Sequence, residues 1–329
     1  MNKCEYKNCK ETALSLSEFC WRHIDDKDAY RKKLTDYIET SNSINGFYLR
    51  RLEFPGAQWQ SIDAEEVDLA GADLSDADLT AANFKKANLT GADLSRANMA
   101  SIDLEEAHLL RSDLSGARLW HAVIKNSNLA EANLQEVDFL KATLSEVKFW
   151  HVKLRNAKFL TRYSFIGRSP IDEKGPLSAS EAYRSLKQHF IANGRYDDSS
   201  WASFKERQLE RKYLLRTKSI SYIPSLLMAV LCGYGEKPYR VILSSATIVF
   251  IYSFLYAALK VLNTPIDALN LKMWDYIYFS IVTFTTLGFG DLTPKMVPMF
   301  QMLTGSEAFI GAFMMGLFVF TLARKYTAR

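Results

Sequence analysis

Between Ala57 and about Thr161 the chain repeats every five residues, in the spelling VDLAG ADLSD ADLTA ANFKK ANLTG ADLSR ANMAS IDLEE. An apolar residue returns at Leu69, Leu74, Leu79, Phe84 and Leu89, and at the same spacing as far as Leu154 and Phe159. Two positions earlier stands a small residue, usually Ala. Neither a helix of period 3.6 nor a strand of period 2 holds every fifth side chain on one face. A chain that turns a corner every five residues does, which predicts a solenoid with the apolar and small residues inside and the others in solvent.

The rest of the 329 residues divides sharply, although the overall hydrophobic content of 48% is ordinary. Charged and small residues fill the chain up to about Arg240, and Phe, Leu, Ile, Val, Met and Tyr dominate beyond it. This predicts a soluble front and a membrane-embedded back. The opening MNKCEYKNCK is polar and leads into no apolar segment, so the front is expected to stay in the cytosol. No nucleophile, base and oxyanion-donor set stands at a recognisable spacing, and an enzyme is not expected.

In a reducing cytosol, clustered cysteines point to metal binding. Cys4, Cys9, Cys20 and His23 offer three thiols and an imidazole within one short segment, a set suited to a closed tetrahedral Zn2+ site. Residues 1–40 hold too little apolar area to fold alone, and a structural zinc would supply the deficit. Cys232 stands apart as a lone thiol.

Past the repeats, residues 177–218 predict a helical hairpin linker. Its first helix is expected to start at the capping box Ser178-Ala179-Ser180-Glu181, to carry Tyr183, Leu186 and Phe190 on one face, and to end near Asn193-Gly194. The second is expected to line up Trp201, Phe204 and Leu209 before a basic tail. Residues 219–240 form a further segment, apolar from Ile220 to Leu231 but too short to cross ~30 Å of hydrocarbon. It lies either along the membrane surface or in the hairpin's core.

Val241 to Leu262 and Met296 to Ala323 each have the length and composition of a spanning helix. Lys and Arg gather before the first and after the second, which predicts a multi-pass protein of the plasma (inner) membrane with both termini cytoplasmic. Between the spans, a segment from about Trp274 to Thr285 leads into Thr286-Leu287-Gly288-Phe289-Gly290-Asp291. A re-entrant loop between two spans is tolerated at membrane depth where it lines a water-filled path. Gly288 and Gly290 accept positive φ, so successive carbonyls can face one axis, with Leu287 and Phe289 directed outward against the preceding helix. Gly233-Tyr234-Gly235 is spelled more like such a loop but has no Thr before it and no span ahead of it, so a turn is expected there. Glu307, an ionisable group in apolar sequence, is expected either to brace the loop's helix or to face the path. Gly311 is a candidate hinge or close-packing site, with Gly305 and Gly316 as rivals.

Two resemblances cover most of this. The A-(D/N)-L-x-x spelling resembles the pentapeptide-repeat family, which implies a right-handed quadrilateral β-helix over 57–161, with about five coils at the ~4.8 Å inter-strand spacing. Thr286 to Asp291 between two spans resembles the potassium-channel selectivity filter, and residues 241–329 resemble a two-transmembrane, all-α pore domain. The order of parts is similar to that of prokaryotic pentapeptide-repeat ion channels. The resemblance implies K+ as the permeant ion, a homotetramer in the lipid bilayer, and a cytoplasmic front that binds a partner or ligand. A nucleic-acid mimic is disfavoured, because acidic early coils give way to Lys141, Lys148, Lys153 and Arg155. A non-selective cation channel and a membrane-tethered scaffold with a non-conducting pore are the alternative readings.

Overall fold

The computed structural model describes residues 2–166, 175–263 and 271–327. The chain forms two compact units, Met1–Tyr213 and Leu214–Arg329.

In the first unit the backbone winds with a register of 20 residues. Ser43 bridges to Asp63 in parallel, Tyr48 to Asp68, Glu53 to Asp73 and Gln58 to Asp78, and the pattern runs on to Asp138 and Lys158. Four pentapeptides therefore make one coil. Each coil hydrogen-bonds to the next through its backbone, as from Leu69 N to Asn88 O at 2.8 Å. The corners lie two residues after each central apolar position and have left-handed φ: 59° at Asp76, 55° at Lys86 and 58° at Arg96. Such a φ costs a non-glycine residue about 1 kcal/mol, which the corner tolerates because its amide is satisfied, as from Asp76 N to Ser95 O at 2.9 Å. Leu69, Leu74, Leu79 and Phe84 are fully buried inside, with Ala72 and Ala77 beside them. Outside, side chains pair up the stack at the same register: Asn83 donates to Asp63 at 2.8 Å, Asn88 to Asp68 at 3.0 Å, and Arg96 grips Asp76 with two bonds.

The coil begins earlier than the regular spelling. Ile44, Leu49, Phe54 and Trp59 occupy the central positions ahead of residue 64, and Leu52 takes an inner position where later repeats place Ala. This irregular stretch adds turns before the expected start at Ala57. Near the other end, β1 (Val123–Lys125), β2 (Thr143–Ser145) and β3 (Phe165–Ile166) form a short parallel sheet in that order.

A solenoid exposes apolar residues at both ends unless they are covered. At the front the cover is α1 (Lys27–Ser41), started by the Asp26 side chain accepting from Ala29 N at 2.8 Å. Tyr30, Leu34 and Ile38 share its buried face and join the coil's core with Leu14 and Trp21. Tyr48 N donates to the Ser15 hydroxyl and Ser15 N to the Tyr48 carbonyl, both at 2.9 Å. At the back the cover is the pair α2 (Pro176–Ala192) and α3 (Tyr196–Arg216).

Two expectations for this pair are corrected. First, α2 starts at Pro176, because proline is suited to the first helical position, and Ser180 lies inside the helix donating to the Leu177 carbonyl. There is no capping box at Ser178–Glu181. Second, residues 177–218 are more than a linker: Tyr183, Leu186, Phe190 and Ala202 belong to the solenoid's own core. Phe165 packs edge-on to Phe149 and stacks on Trp201. The buried side of α3 is Ser199, Ala202, Ser203 and Glu206, with Trp201 and Leu209 partly covered.

The second unit is helical. α4 (Tyr222–Cys232), α5 (Pro238–Leu259), α6 (Met273–Phe284) and α7 (Pro298–Thr327) follow in order, and β4 (Leu262–Asn263) pairs antiparallel with β5 (Thr293–Pro294). α5 and α7 are long and apolar enough to cross a membrane, and only 17% and 28% of their apolar windows are buried. Their outward faces carry Leu243, Phe250, Phe254, Phe309, Phe313 and Val319, which is the surface of a helix facing lipid or another protein rather than of a soluble core. α4 packs through Met228, Leu231 and Cys232 against Val241, Met314 and Leu317. Ile223, Leu227 and Val230 are left exposed on its other side.

Candidate pore loop and metal centre

α6 is wedged between α5 and α7 and sets the start of the loop. It ends at Phe284, within a residue of the boundary expected from sequence, and Thr285 N closes the last turn on the Ile281 carbonyl at 2.9 Å. From there φ is positive at every second residue: 56° at Thr286, 57° at Gly288 and 78° at Gly290. Such alternation turns successive carbonyls toward a common side without forming a helix or strand. The Thr286 hydroxyl donates to the Thr285 carbonyl at 2.7 Å, and Asp291 lies near the Tyr278 hydroxyl of α6. Leu287 and Phe289 were expected to pack on α6. Among the described residues they are left largely uncovered, at 62% and 66% exposure.

α7 meets α6 at two levels one helical turn apart. Glu307 is fully buried and lies within hydrogen-bond reach of the hydroxyls of Ser280 on α6 and Tyr256 on α5. One turn on, a methyl group at Gly311 would overlap the Phe284 carbonyl, so α7 touches the backbone of α6 there. Of the readings left open for Gly311, close packing is the one with a contact behind it, whereas Gly305 and Gly316 meet nothing within 4 Å. For Glu307 the bracing position is the one occupied. Sequence reasoning missed Ser280 and Tyr256, since a Ser or Tyr in an apolar helix carries no signal of its partner.

Gly233-Tyr234-Gly235 is a turn joining α4 to α5, as its context predicted. It also has a partner that the sequence did not announce. Arg324, in the last turn of α7, donates to the Tyr234 carbonyl at 3.2 Å and pairs with Glu236 at 2.7 Å.

In the first unit, Cys4, Cys9, Cys20 and His23 converge, their ligand atoms all within 4.8 Å of one another. Cys4 Sγ to His23 Nδ1 is 3.5 Å, Cys20 Sγ to His23 Nδ1 3.3 Å, and Cys9 Sγ to Cys20 Sγ 3.9 Å. A tetrahedral zinc with bonds of about 2.3 Å to S and 2.0 Å to N implies edges of about 3.8 Å between sulfurs and 3.5 Å from S to N. These three distances match those edges, the whole set of donors lies within 4.8 Å, and 3.9 Å is far beyond a disulfide's ~2.0 Å. Burial alone would push the Cys4 thiol up, but the Cys20 and Tyr6 amides and the His23 and Cys20 side chains outweigh it and hold it down at about 6. Burial and the neighbouring thiols push Cys20 up to about 11. Tyr6 stacks on the His23 ring at 3.9 Å.

Known proteins bear on both units. The ion-channel family model matches residues 240–328, and the pentapeptide-repeat model matches 8 copies over 65–99, 92–129 and 124–159. Similar solved structures include trypsin-treated QnrB1, a plasmid-mediated fluoroquinolone resistance protein. It is 21% identical over 35% of this chain and 68% of that one, with a TM-score of 0.25. A pentapeptide repeat protein from the Arabidopsis thaliana thylakoid lumen is 26% identical over 36% of this chain and 72% of that one, with a TM-score of 0.24. No protein of curated function matches. The chain therefore joins a pentapeptide-repeat domain to a two-helix ion-channel domain.

Proposed function

We propose that the protein is a potassium-selective channel, assembled as a homotetramer in the plasma membrane with both termini cytoplasmic. The observation that carries this reading is the loop after α6, with left-handed φ at Thr286, Gly288 and Gly290 and with Leu287 and Phe289 largely exposed. One such loop supplies a quarter of a ring of carbonyls able to replace an ion's hydration shell. Four copies complete the ring and offer walls for the two exposed side chains. Thr286 to Asp291 is the proposed filter, Glu307 and Gly311 seat its helix, and the basic end of α7 with Arg324 and Lys325 faces the cytosol.

The four-donor cluster at Cys4, Cys9, Cys20 and His23 holds a structural Zn2+, which ties the N-terminal segment ahead of α1 together. The repeat domain and its caps form a cytoplasmic module that binds a partner or ligand and biases opening of the pore. The partner is proposed to be a protein or small ligand rather than nucleic acid, because charges of both signs alternate along the coils in pairs such as Lys125 with Glu105 and Arg111 with Glu131.

The test is ion flux from the purified full-length protein in liposomes under opposed K+ and Na+ gradients. A reversal potential near that of K+, with current abolished by Gly288→Ala, is expected. Current without K+ preference would replace this reading with a non-selective cation channel. Absence of any current would leave a membrane-tethered scaffold.

A further inference from the structure

A carboxyl group in apolar surroundings costs several kcal/mol unless it is fully partnered. Glu307 sits at 0% exposure where α5, α6 and α7 meet, and its partners among the described residues are two hydroxyls rather than a cation. The Tyr256 hydroxyl donates to Oε2. The Ser280 hydroxyl lies within reach of two acceptors, Oε1 and the Val249 carbonyl of α5 at 3.0 Å. Ser280 has one hydrogen to give. The count closes with a hydrogen on Oε1: Glu307 donates to Ser280, Ser280 to Val249, and Tyr256 to Oε2.

α6 is only 12 residues long and leads directly into the loop. Its rotation and depth therefore set where the carbonyls of Thr286 to Gly290 stand. Ser280 and Phe284 are one turn apart on α6, as are Glu307 and Gly311 on α7, so the two helices are joined by two rungs. The Gly311 rung fixes how closely they approach. The Glu307 rung fixes register, because hydrogen bonds are directional where apolar packing is not.

We propose that Glu307 is a positioning residue for the filter, acting as an uncharged hydrogen-bonding strut between the pore helix and both spanning helices. This rests on the reading of Thr286 to Gly290 as the filter. A glutamine side chain reproduces the strut, its amide NH2 donating to Ser280 and its carbonyl accepting from Tyr256, whereas alanine removes it and leaves both hydroxyls short of a partner.

The experiment compares full-length wild type with E307Q, E307A and S280A as tetramers in liposomes, reading the K+/Na+ permeability ratio. E307Q is expected to stay within about threefold of wild type, while E307A and S280A lose about tenfold or more, the equivalent of one buried hydrogen bond. A tetrameric E307A or S280A with the wild-type ratio overturns the strut, as does E307Q failing as badly as E307A. S280A is the smaller change and decides the matter if E307A does not assemble. If wild type shows no K+ preference, the proposed function alone fails, and the strut is decided by a double-mutant cycle of S280A and E307A on the tetramer's thermal midpoint. Coupled losses support it and additive losses overturn it.

Discussion

Gly311 has no side chain because the Phe284 carbonyl takes up the space one would need. Gly311→Ala is accordingly expected to force α7 away from α6, costing about 1–3 kcal/mol and abolishing flux in liposomes. Gly305→Ala and Gly316→Ala are the comparison: their added methyl meets nothing within 4 Å, and they are expected to conduct. A hinge role would reverse the emphasis, leaving assembly intact in all three. Glu206 is a second residue whose neighbours decide its part. Burial would raise its carboxyl, but hydrogen bonds from Lys187 and Arg184, each 2.7 Å away, outweigh it and hold it below the usual carboxylate range. Its contribution is thus complete above the unfolded glutamate value of ~4.3 and disappears as pH falls through the lower folded one. Glu206→Gln should cost about 1–3 kcal/mol at pH 7, discounted for the half-exposed Arg184. The gap from wild type in urea melts of the N-terminal unit should close in acid.

At the level of elements, periodicity told which face of a helix is buried but not what it is buried against. Tyr183, Leu186 and Phe190 were legible as one apolar face of α2, and their destination, the open end of the last coil, was not. The same holds at the turn between α4 and α5. Its glycines and position marked it as a turn, and only folding brought it to the end of α7, where Arg324 meets Glu236 and the Tyr234 carbonyl. The Glu236 side chain is 7% exposed there, enough to make the pair matter. A movement of α7 must break or carry this link, so if the protein conducts as proposed, Glu236→Arg and Arg324→Glu should each shift open probability in single-channel records. The double exchange should restore it in part; unchanged gating in both singles would remove the link from the gating path.

On the scale of the whole molecule, the chain sets a stack of coils ahead of a helical unit with two candidate membrane spans. The stack needs its ends covered. At the front that cover includes the four-donor cluster, so removing metal with a strong chelator should lower the thermal midpoint of the N-terminal unit, by circular dichroism, while Cys9→Ser should abolish both one-to-one zinc content and the chelator's effect. In the membrane unit, Leu287 and Phe289 stand largely exposed, and the proposed tetramer would cover them.

Sequence by itself determined the coil, because a five-residue period excludes every other regular structure, and it determined the spans and the loop between them, because length, apolar content and a Thr-Gly-rich break are local properties. It picked out the four candidate metal donors that the fold brings together, since three thiols and an imidazole close together in the chain have few other uses. What tertiary structure alone decided is pairing. The irregular first coil around Ile44 to Trp59, the hairpin's role as a cap, the union of Glu307 with Ser280 and Tyr256, and the meeting of Arg324 with Glu236 all join residues far apart in the chain. A side chain's chemistry states what it can bond, and only the fold decides which of many suitable partners comes within 3 Å of it.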